Sequence, residues 1–492
     1  MSCTPGFDPS NVDVPVGHFI GGRYVRDDQA GIAVRRPSDG VVFGEILDAT
    51  AETVDYAVRN AHLAWRQSGW GTRPPRERAR IMRRWADLIE QDKTLAQLEA
   101  IGSTRPITEV LSGDLPFTAE AIRFFAEYAD KLGGDVAATR AESFGVVANE
   151  PYGVIAAITP WNFPLSMASW KCGPALASGN AMVLKPSELT PFSTLRMAEL
   201  AIQAGMPAGI FNVITGRGSV TGQALVAHPL VTKVSFTGST RTGALIMAGA
   251  AAAGIKPVTL ELGGKSPQLV FADAIDVAHV AQCVAKGFTA NAGQACVAGT
   301  RLIVHRSLAE ELVAAVANEV AALRPGLGWH AATAYSPIIN SAQAARIDSL
   351  VQDGLSSGAE AICGGGFFEG TGDGVFYQPT VLTHVAADMP VVREELFGPV
   401  LTVQTFEDEE EGIALADHEV YGLAAGIYTR DIGKAMRATR AIAAGTVWIN
   451  RYGRSGDMII PTGGFKGSGI GKDLGRQAME ACMRSKSILL DF

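Results

Sequence analysis

The chain lacks most of the features that mark a specialised class. It carries six cysteines in 492 residues (Cys3, Cys172, Cys283, Cys296, Cys363, Cys482), none in a C-x-x-C pair. That excludes a disulfide scaffold and thiolate zinc sites, and a reducing compartment is expected. No basic run offsets a net charge of −8, so nucleic acid is not an expected partner. Charged residues are 19 % of the chain, below the ~25 % of an average domain, which excludes a solvated, disordered chain. The segment Met1–Asn11 is polar and has no leader-like apolar stretch. The most apolar window, Thr242–Ile255, is shorter than the ~20 residues that span a bilayer. No membrane partner is expected, and the expected location is cytoplasmic.

Several familiar motifs are missing or out of context. No G-x-G-x-x-G follows a strand; Gly467–Gly471 has the wrong spacing. Gly264-Lys265-Ser266 resembles the end of a phosphate loop, but the first glycine it needs is Thr259. Gly354–Gly358 matches G-x-S-x-G around Ser356, yet the pattern places a helix before it and a strand after it, the reverse of a nucleophile elbow. No histidine pair stands at helical spacing to hold a metal, so no metal is expected.

With 47 % hydrophobic residues, the chain has material for more than one large core. The periodicity predicts a strand pair (His18–Val25, Gly40–Leu47) and amphipathic helices over Thr53–Ser68 and Arg76–Ala100. Continuous apolar runs at Gly153–Thr159, Ala181–Lys185, Ile210–Ile214, Val231–Phe236 and Pro257–Leu262 alternate with helical stretches, which predicts a parallel sheet. A second series follows: Gln268–Phe271, Arg301–His305, Ala359–Cys363, Thr380–Thr383, Val400–Gln404, Ala424–Tyr428 and Thr446–Asn450. Helices are predicted between them at Asp276–Ala290, Leu308–Ala322 and Ser341–Leu355. The reading is α/β, with two domains meeting near residue 262.

Chemistry in open α/β sheets collects beyond the carboxyl ends of the strands. Four segments lie there: Thr159-Pro160-Trp161-Asn162-Phe163-Pro164, Phe236-Thr237-Gly238-Ser239, Glu261-Leu262-Gly263-Gly264, and the loop Gly293-Gln294-Ala295-Cys296. Together with Lys185-Pro186-Ser187-Glu188, Glu394-Glu395-Leu396-Phe397-Gly398 and Pro461-Thr462-Gly463-Gly464-Phe465, they resemble the NAD(P)-dependent aldehyde dehydrogenase family, in its order and over nearly the whole chain. The loop Tyr452–Met458 is similar to the branch acting on γ-glutamylamino- or guanidino-butyraldehydes.

The resemblance implies an aldehyde dehydrogenase-like fold: a Rossmann-type cofactor domain (1–129 and 150–262), an α/β catalytic domain (263–463), and a small β oligomerisation arm with the C-terminal segment (130–149 and 464–492). It implies oxidation of an aldehyde to the carboxylate. Cys296 would be the nucleophile, while Asn162 and the Cys296 N–H would form an oxyanion hole. Glu261 would be the base that activates water against the thioester. Cys172, Cys283, Cys363 and Cys482 are read as buried structural cysteines. Lys171 and Asp473 match a proton path, although the family more often has Glu at the second position. The implied cofactor is NAD, with NADP as the alternative, at Thr159, Trp161, Lys185, Ser187, Glu188, Gly216, Phe236, Gly238, Ser239, Leu262, Gly263, Glu395 and Phe397.

The implied substrate pocket takes in Phe117, Phe163, Trp170, Ala295, Val297, Arg454, Asp457 and Thr462. Thr462, where relatives often carry an aromatic ring, implies a wider or more polar mouth. Asp457 could meet a cationic or amide-bearing tail and Arg454 an anionic one, or both could face solvent. A homodimer or homotetramer is implied. The competing readings are a CoA-acylating semialdehyde dehydrogenase, against which Glu261 argues, and a non-catalytic binding protein of the same fold.

Overall fold

The computed structural model describes residues 6–26, 31–274 and 276–492; Cys3 and the first five positions of Met1–Asn11 lie outside them. Among the described residues no helix is long and apolar enough to cross a membrane.

Two N-terminal expectations need correction. His18–Ile20 pairs with Arg23–Val25, whereas Val42–Leu47 pairs with Gly31–Arg35. The expected partners are therefore members of two separate hairpins. The turn at Gly21-Gly22, with φ of 62° and 78°, closes the first hairpin because glycine adopts those angles without a Cβ clash. The predicted helix Arg76–Ala100 is two helices, Pro75–Gln91 and Lys93–Gly102. Asp92 leaves the helical conformation, and its carboxylate accepts the Leu95 N–H at 2.6 Å, capping the second helix.

The regular alternation beyond residue 150 forms as predicted. Five parallel strands, Val154–Ile158, Ala181–Lys185, Phe211–Val213, Lys233–Thr237 and Val258–Glu261, lie side by side in the order third, second, first, fourth, fifth. Every residue of the first two is buried, as expected for strands with helices on both faces. Trp85, Phe125, Phe192 and Phe211 fill the space between helices and sheet, and the Trp85 indole N–H donates to the Met197 carbonyl at 2.9 Å.

The second sheet runs Glu360–Cys363, Thr380–Thr383, Val400–Phe406, Arg301–His305, Pro267–Val270, Ala424–Tyr428, Thr446–Ile449; only the first of these strands is antiparallel. The strand Met483–Asp491 pairs with Ser143–Pro151 over nine positions to make the arm. Residues 464–482 of the C-terminal segment pair elsewhere. Gly469–Ile470 adds antiparallel to Leu260–Glu261 at the edge of the first sheet, and Phe465–Lys466 pairs with Tyr421–Gly422. The C-terminal stretch thus extends the edge of the first sheet beside Glu261 and forms a separate two-stranded pairing with Tyr421–Gly422.

Candidate active site

The strand order reverses between Val154–Ile158 and Lys233–Thr237, which opens a crevice at their carboxyl ends. One strand runs into Thr159–Asn162 and the other into Gly238-Ser239. The hydroxyls of Thr159 and Thr237 are buried there without a partner. Ser239 caps the 13-residue helix Thr240–Ala252, accepting the Thr242 N–H at 3.2 Å, so the free N–H groups and positive end of that helix face the crevice. A Cβ on Gly238 would stand 2.4 Å from the Phe236 ring, so the ring can lie on the backbone only because residue 238 is glycine.

Lys185 is buried, and its ammonium donates to the carbonyls of Pro186 (2.6 Å) and Gly216 (2.8 Å) and lies 3.4 Å from Glu188. Its three donors are thereby taken. The half-buried Glu188 keeps acceptor capacity toward the crevice, whereas Ser187 is buried and accepts the Leu189 N–H.

Across the crevice, Glu395 accepts the Gly264 N–H at 3.0 Å. A Cβ on Gly263 would stand 2.2 Å from the Glu395 carboxylate, so the carboxylate rests directly on the two-glycine turn after Leu262. Burial pushes the Glu395 pKa up to about 7, against the pull of the Gly264 N–H. The Phe397 ring meets Trp161 edge-on at 5.2 Å. Gln343 donates to the carbonyls of Leu396 and Phe397, and Arg346 to that of Glu395, which fixes the segment that carries both residues.

Cys296 is half-buried at the end of an unusual turn. Asn291, Ala292 and Gly293 all have left-handed backbone, φ 52°, 51° and 70°, a conformation that costs ~1–2 kcal/mol for each non-glycine residue. The surroundings enforce it. The Asn291 amide donates to the carbonyls of Asn162 (3.0 Å) and Gln294 (3.3 Å) and accepts the Thr104 hydroxyl (2.7 Å). Gln294 donates to the Asn291 and Pro337 carbonyls and accepts the Ile339 N–H. The Asn162 amide donates one N–H to the Gln294 carbonyl at 2.9 Å, which fixes the plane of the group and leaves its second N–H free. Burial pushes the Cys296 thiol up to about 12; Glu261 and Glu395 add to the rise, while Arg454 and the Val297 N–H oppose it.

Glu261 is buried with Oε1 unpartnered. Burial, then the charge of Asp473, raises its pKa well above the ordinary carboxyl value, with Lys171 pulling the other way. Lys171 and Asp473 form a buried ion pair at 2.6 Å. Asp473 therefore supplies the carboxylate partner that a glutamate would otherwise supply.

The pocket residues separate into two groups. Trp170 is buried, packs against Phe117 at 6.1 Å between ring centroids, and carries the Arg454 guanidinium over its face at 4.8 Å. Arg454 also donates to the hydroxyl of the buried Thr462, so a guanidinium occupies the space that Thr462 was expected to leave open. Phe163 carries Arg105 over its ring at 4.8 Å, and the Tyr452 hydroxyl donates to the Val297 carbonyl at 2.7 Å, next to the half-buried Ala295-Cys296 step. Asp457, by contrast, is exposed and accepts the Ser455 hydroxyl. Of the other cysteines, Cys172 and Cys482 are buried as expected, but Cys283 and Cys363 are only half-buried, because each lies at the margin of its core. Ser356 ends the helix Ser341–Ser356, exposed, with Glu360–Cys363 following.

The sequence reading missed Asn291, Gln294 and Thr104. An Asn-x-Gly triplet signals left-handed backbone and would have flagged the turn, though not its partners.

The carboxylates Glu188 and Glu395 offer acceptors for sugar hydroxyls, and a helix N-terminus between them suits a pyrophosphate, so the crevice fits a nicotinamide dinucleotide. Comparison with known proteins agrees. The sequence profile described as the Aldehyde dehydrogenase family matches residues 24–488. The Bacillus subtilis (strain 168) protein DhaS, a putative aldehyde dehydrogenase by its description, is 41 % identical over 473 residues, covering 96 % of this chain and 94 % of that one. Among solved structures, the P. syringae indole-3-acetaldehyde dehydrogenase AldA, a cysteine-to-alanine mutant in complex with NAD+ and IAA, superposes with a TM-score of 0.96 at 38 % identity over 98 % of both chains. The γ-glutamyl-γ-aminobutyraldehyde dehydrogenase of Burkholderia cenocepacia J2315 gives 0.95 at 38 % identity over the same shares. With the Cys296 loop bonded to Asn162 beside a buried carboxylate and a crevice that fits a dinucleotide, and with these matches running the length of the molecule, the chain belongs to the aldehyde dehydrogenase family and is an NAD(P)-dependent aldehyde dehydrogenase.

Proposed function

We propose that Cys296, Asn162 and Glu261 carry the oxidation of an aldehyde to its carboxylate, with Lys171 and Asp473 beneath Glu261. The observation that supports this most directly is the shared network of Asn162, Asn291 and Gln294, which fixes the Asn162 amide to the loop that bears Cys296. The Cys296 thiol, its pKa raised by burial, gives its proton to ionised Glu261 as sulfur adds to the carbonyl carbon, and Glu261, whose own pKa burial raises, releases that proton to solvent before the second half of the reaction. The free Asn162 N–H and the Cys296 N–H stabilise the alkoxide without adding net charge to the site. Bound NAD supplies the acceptor for the hydride, and a thioester remains on Cys296. Glu261 then takes a proton from water as the water attacks that thioester, and the Lys171–Asp473 pair holds the charge balance below it.

Glu188 and Glu395 bind ribose hydroxyls in this reading, the Ser239 helix end faces the pyrophosphate, and Trp161 and Phe397 border the nicotinamide. NAD is the preferred cofactor, because a 2′-phosphate would meet the Glu188 carboxylate while the Lys185 ammonium is already taken. The division into cofactor domain, catalytic domain and arm follows the two sheets and the Ser143–Pro151 pairing. Exposed Phe144, Ile488, Leu489 and Leu490 on that arm support a homodimer or homotetramer. A cytoplasmic location fits the unpaired cysteines.

The test is NADH formation over a panel of small aliphatic, aromatic, ω-amino, guanidino and oxo-acid aldehydes, with NADP alongside. Turnover is expected with NAD and is expected to vanish in Cys296→Ala, which still binds NAD by calorimetry. Normal turnover in Cys296→Ala would overturn the assignment.

A further inference from the structure

Among the described residues, the buried guanidinium groups have carbonyl or carboxylate partners, and the half-buried Arg454 differs from them. Arg105 pairs with Glu109 and Asp114. Arg301 donates to the carbonyls of Lys265, Leu415 and Ala416. Arg78 donates to those of Ala177 and Arg73. Arg454 donates only to the Thr462 hydroxyl and has no carboxylate partner among the described residues. A guanidinium carries five donors and stays charged in a protein, so most of its fork is unclaimed.

None of its neighbours pairs with it directly: Asp473 is engaged by Lys171 at 2.6 Å, and the adjacent Lys472 donates to the Gly463 carbonyl. Trp170, 7 % exposed, has an indole N–H with no acceptor. The Arg454 guanidinium thus lies on the aromatic face that Trp170 shares with Phe117, with most of its donors unclaimed. A half-buried guanidinium with free donors beside aromatic rings favours a planar anion as its partner. Arg454 also lies within electrostatic reach of the Cys296 thiol, so its charge acts near that sulfur.

We propose that Arg454, seated by Thr462 and Trp170, is a specificity-determining residue that binds the carboxylate of an aldehyde substrate, which makes the preferred class oxo acids with an aldehyde at one end and a carboxylate at the other. The planar fork matches a carboxylate bidentately, and the aromatic walls suit the carbon spacer between the two ends. Asp457, the residue that could have read a cationic tail, lies exposed and bonded to Ser455. The inference rests on the dehydrogenase reading of the site and narrows it.

The experiment compares kcat/KM for 5-oxopentanoate and for pentanal in the wild type, Arg454→Gln and Arg454→Lys. The wild type is expected to favour the oxo acid by about tenfold or more. Arg454→Gln is expected to lower that ratio about tenfold, mainly through KM for the oxo acid, with Arg454→Lys recovering part of it. Independently of turnover, glutarate is expected to slow alkylation of Cys296 by iodoacetamide in the wild type and not in Arg454→Gln. A wild type that oxidises pentanal as well as the oxo acid overturns the inference and leaves the dehydrogenase reading intact. A ratio unmoved by Arg454→Gln, both substrates falling together, also overturns it and marks Arg454 as acting on the thiol. Glutarate that protects neither protein, or both equally, counts against the inference too. Silence toward every aldehyde overturns both.

Discussion

Asn291 donates its side-chain amide to the backbone carbonyl of Asn162 at 3.0 Å, joining positions 129 residues apart in sequence. One residue thus holds the Cys296 loop in its left-handed turn and ties it to the segment that bears Asn162. Asn291 and Gln294 together fix the Asn162 amide against the loop that carries Cys296.

Replacing that side chain separates positioning from chemistry. Asn291→Ala removes three hydrogen bonds and leaves a left-handed alanine, in a conformation that asparagine tolerates better. We expect kcat to fall about a hundredfold with a fall of several degrees in melting temperature, while NAD affinity changes little. Steady-state kinetics and calorimetry check this. An unchanged kcat would show that Gln294 and Gly293 suffice to hold the loop.

Glu261→Gln divides the reaction at its midpoint. Burial and Asp473 raise the Glu261 pKa, so its basic form grows as pH rises through that raised value. Wild-type thioester hydrolysis should therefore accelerate with pH across that range, whereas the glutamine variant should show slow hydrolysis with no such rise. The hydride burst is expected to persist, and an acyl adduct on Cys296 should be visible by mass spectrometry. Loss of the burst with normal later steps would assign Glu261 another role.

Glu99 supplies a stability test away from the chemistry. Its carboxyl is buried and accepts the Leu165 N–H at the start of the helix that carries Trp170 and Lys171. Burial, reinforced by Asp114, raises its pKa to about 8. The folded protein then holds a proton that the unfolded chain has released above about pH 4.5. Stability from this group is present at low pH and is lost as pH rises toward the folded value. Between about pH 5 and pH 9 the wild-type melting temperature should fall more than that of Glu99→Gln. Parallel curves would show that Glu99 is ionised in the native state.

Legibility varied with the distance over which a feature is determined. The strands Val154–Ile158 and Lys233–Thr237 could be read because continuous apolar runs have few other uses, and the segments beyond their ends identified the crevice. The break at Asp92 was missed because the apolar stripe continues through it, and only the side-chain cap separates the two helices. Strand partnership in the N-terminal hairpins was hidden because pattern shows which residues are extended, not which edge they meet. Cys296, Asn162 and Glu261 stood out through the motifs around them, but the network of Asn291, Gln294 and Thr104 depends on contacts between distant segments. Arg454 and Asp457, three positions apart, could be told apart only when one turned over Trp170 and the other toward solvent.

The late position of the closing segments has a consequence for synthesis. Val258–Glu261 is an open sheet edge until residues 469–470 arrive, Lys171 stands buried without its counter-ion until Asp473 arrives, and Ser143–Pro151 waits for residues 483–491. A ribosome adding about 5–20 residues per second releases the cofactor sheet many seconds before these partners emerge. A nascent chain can therefore form the Cys296 loop early and leave the Glu261 edge and Lys171 unpartnered until residues 469–473 are made. Chains halted within that stretch would expose a raw strand edge and a stranded lysine together, the kind of surface that holdases and proteases recognise.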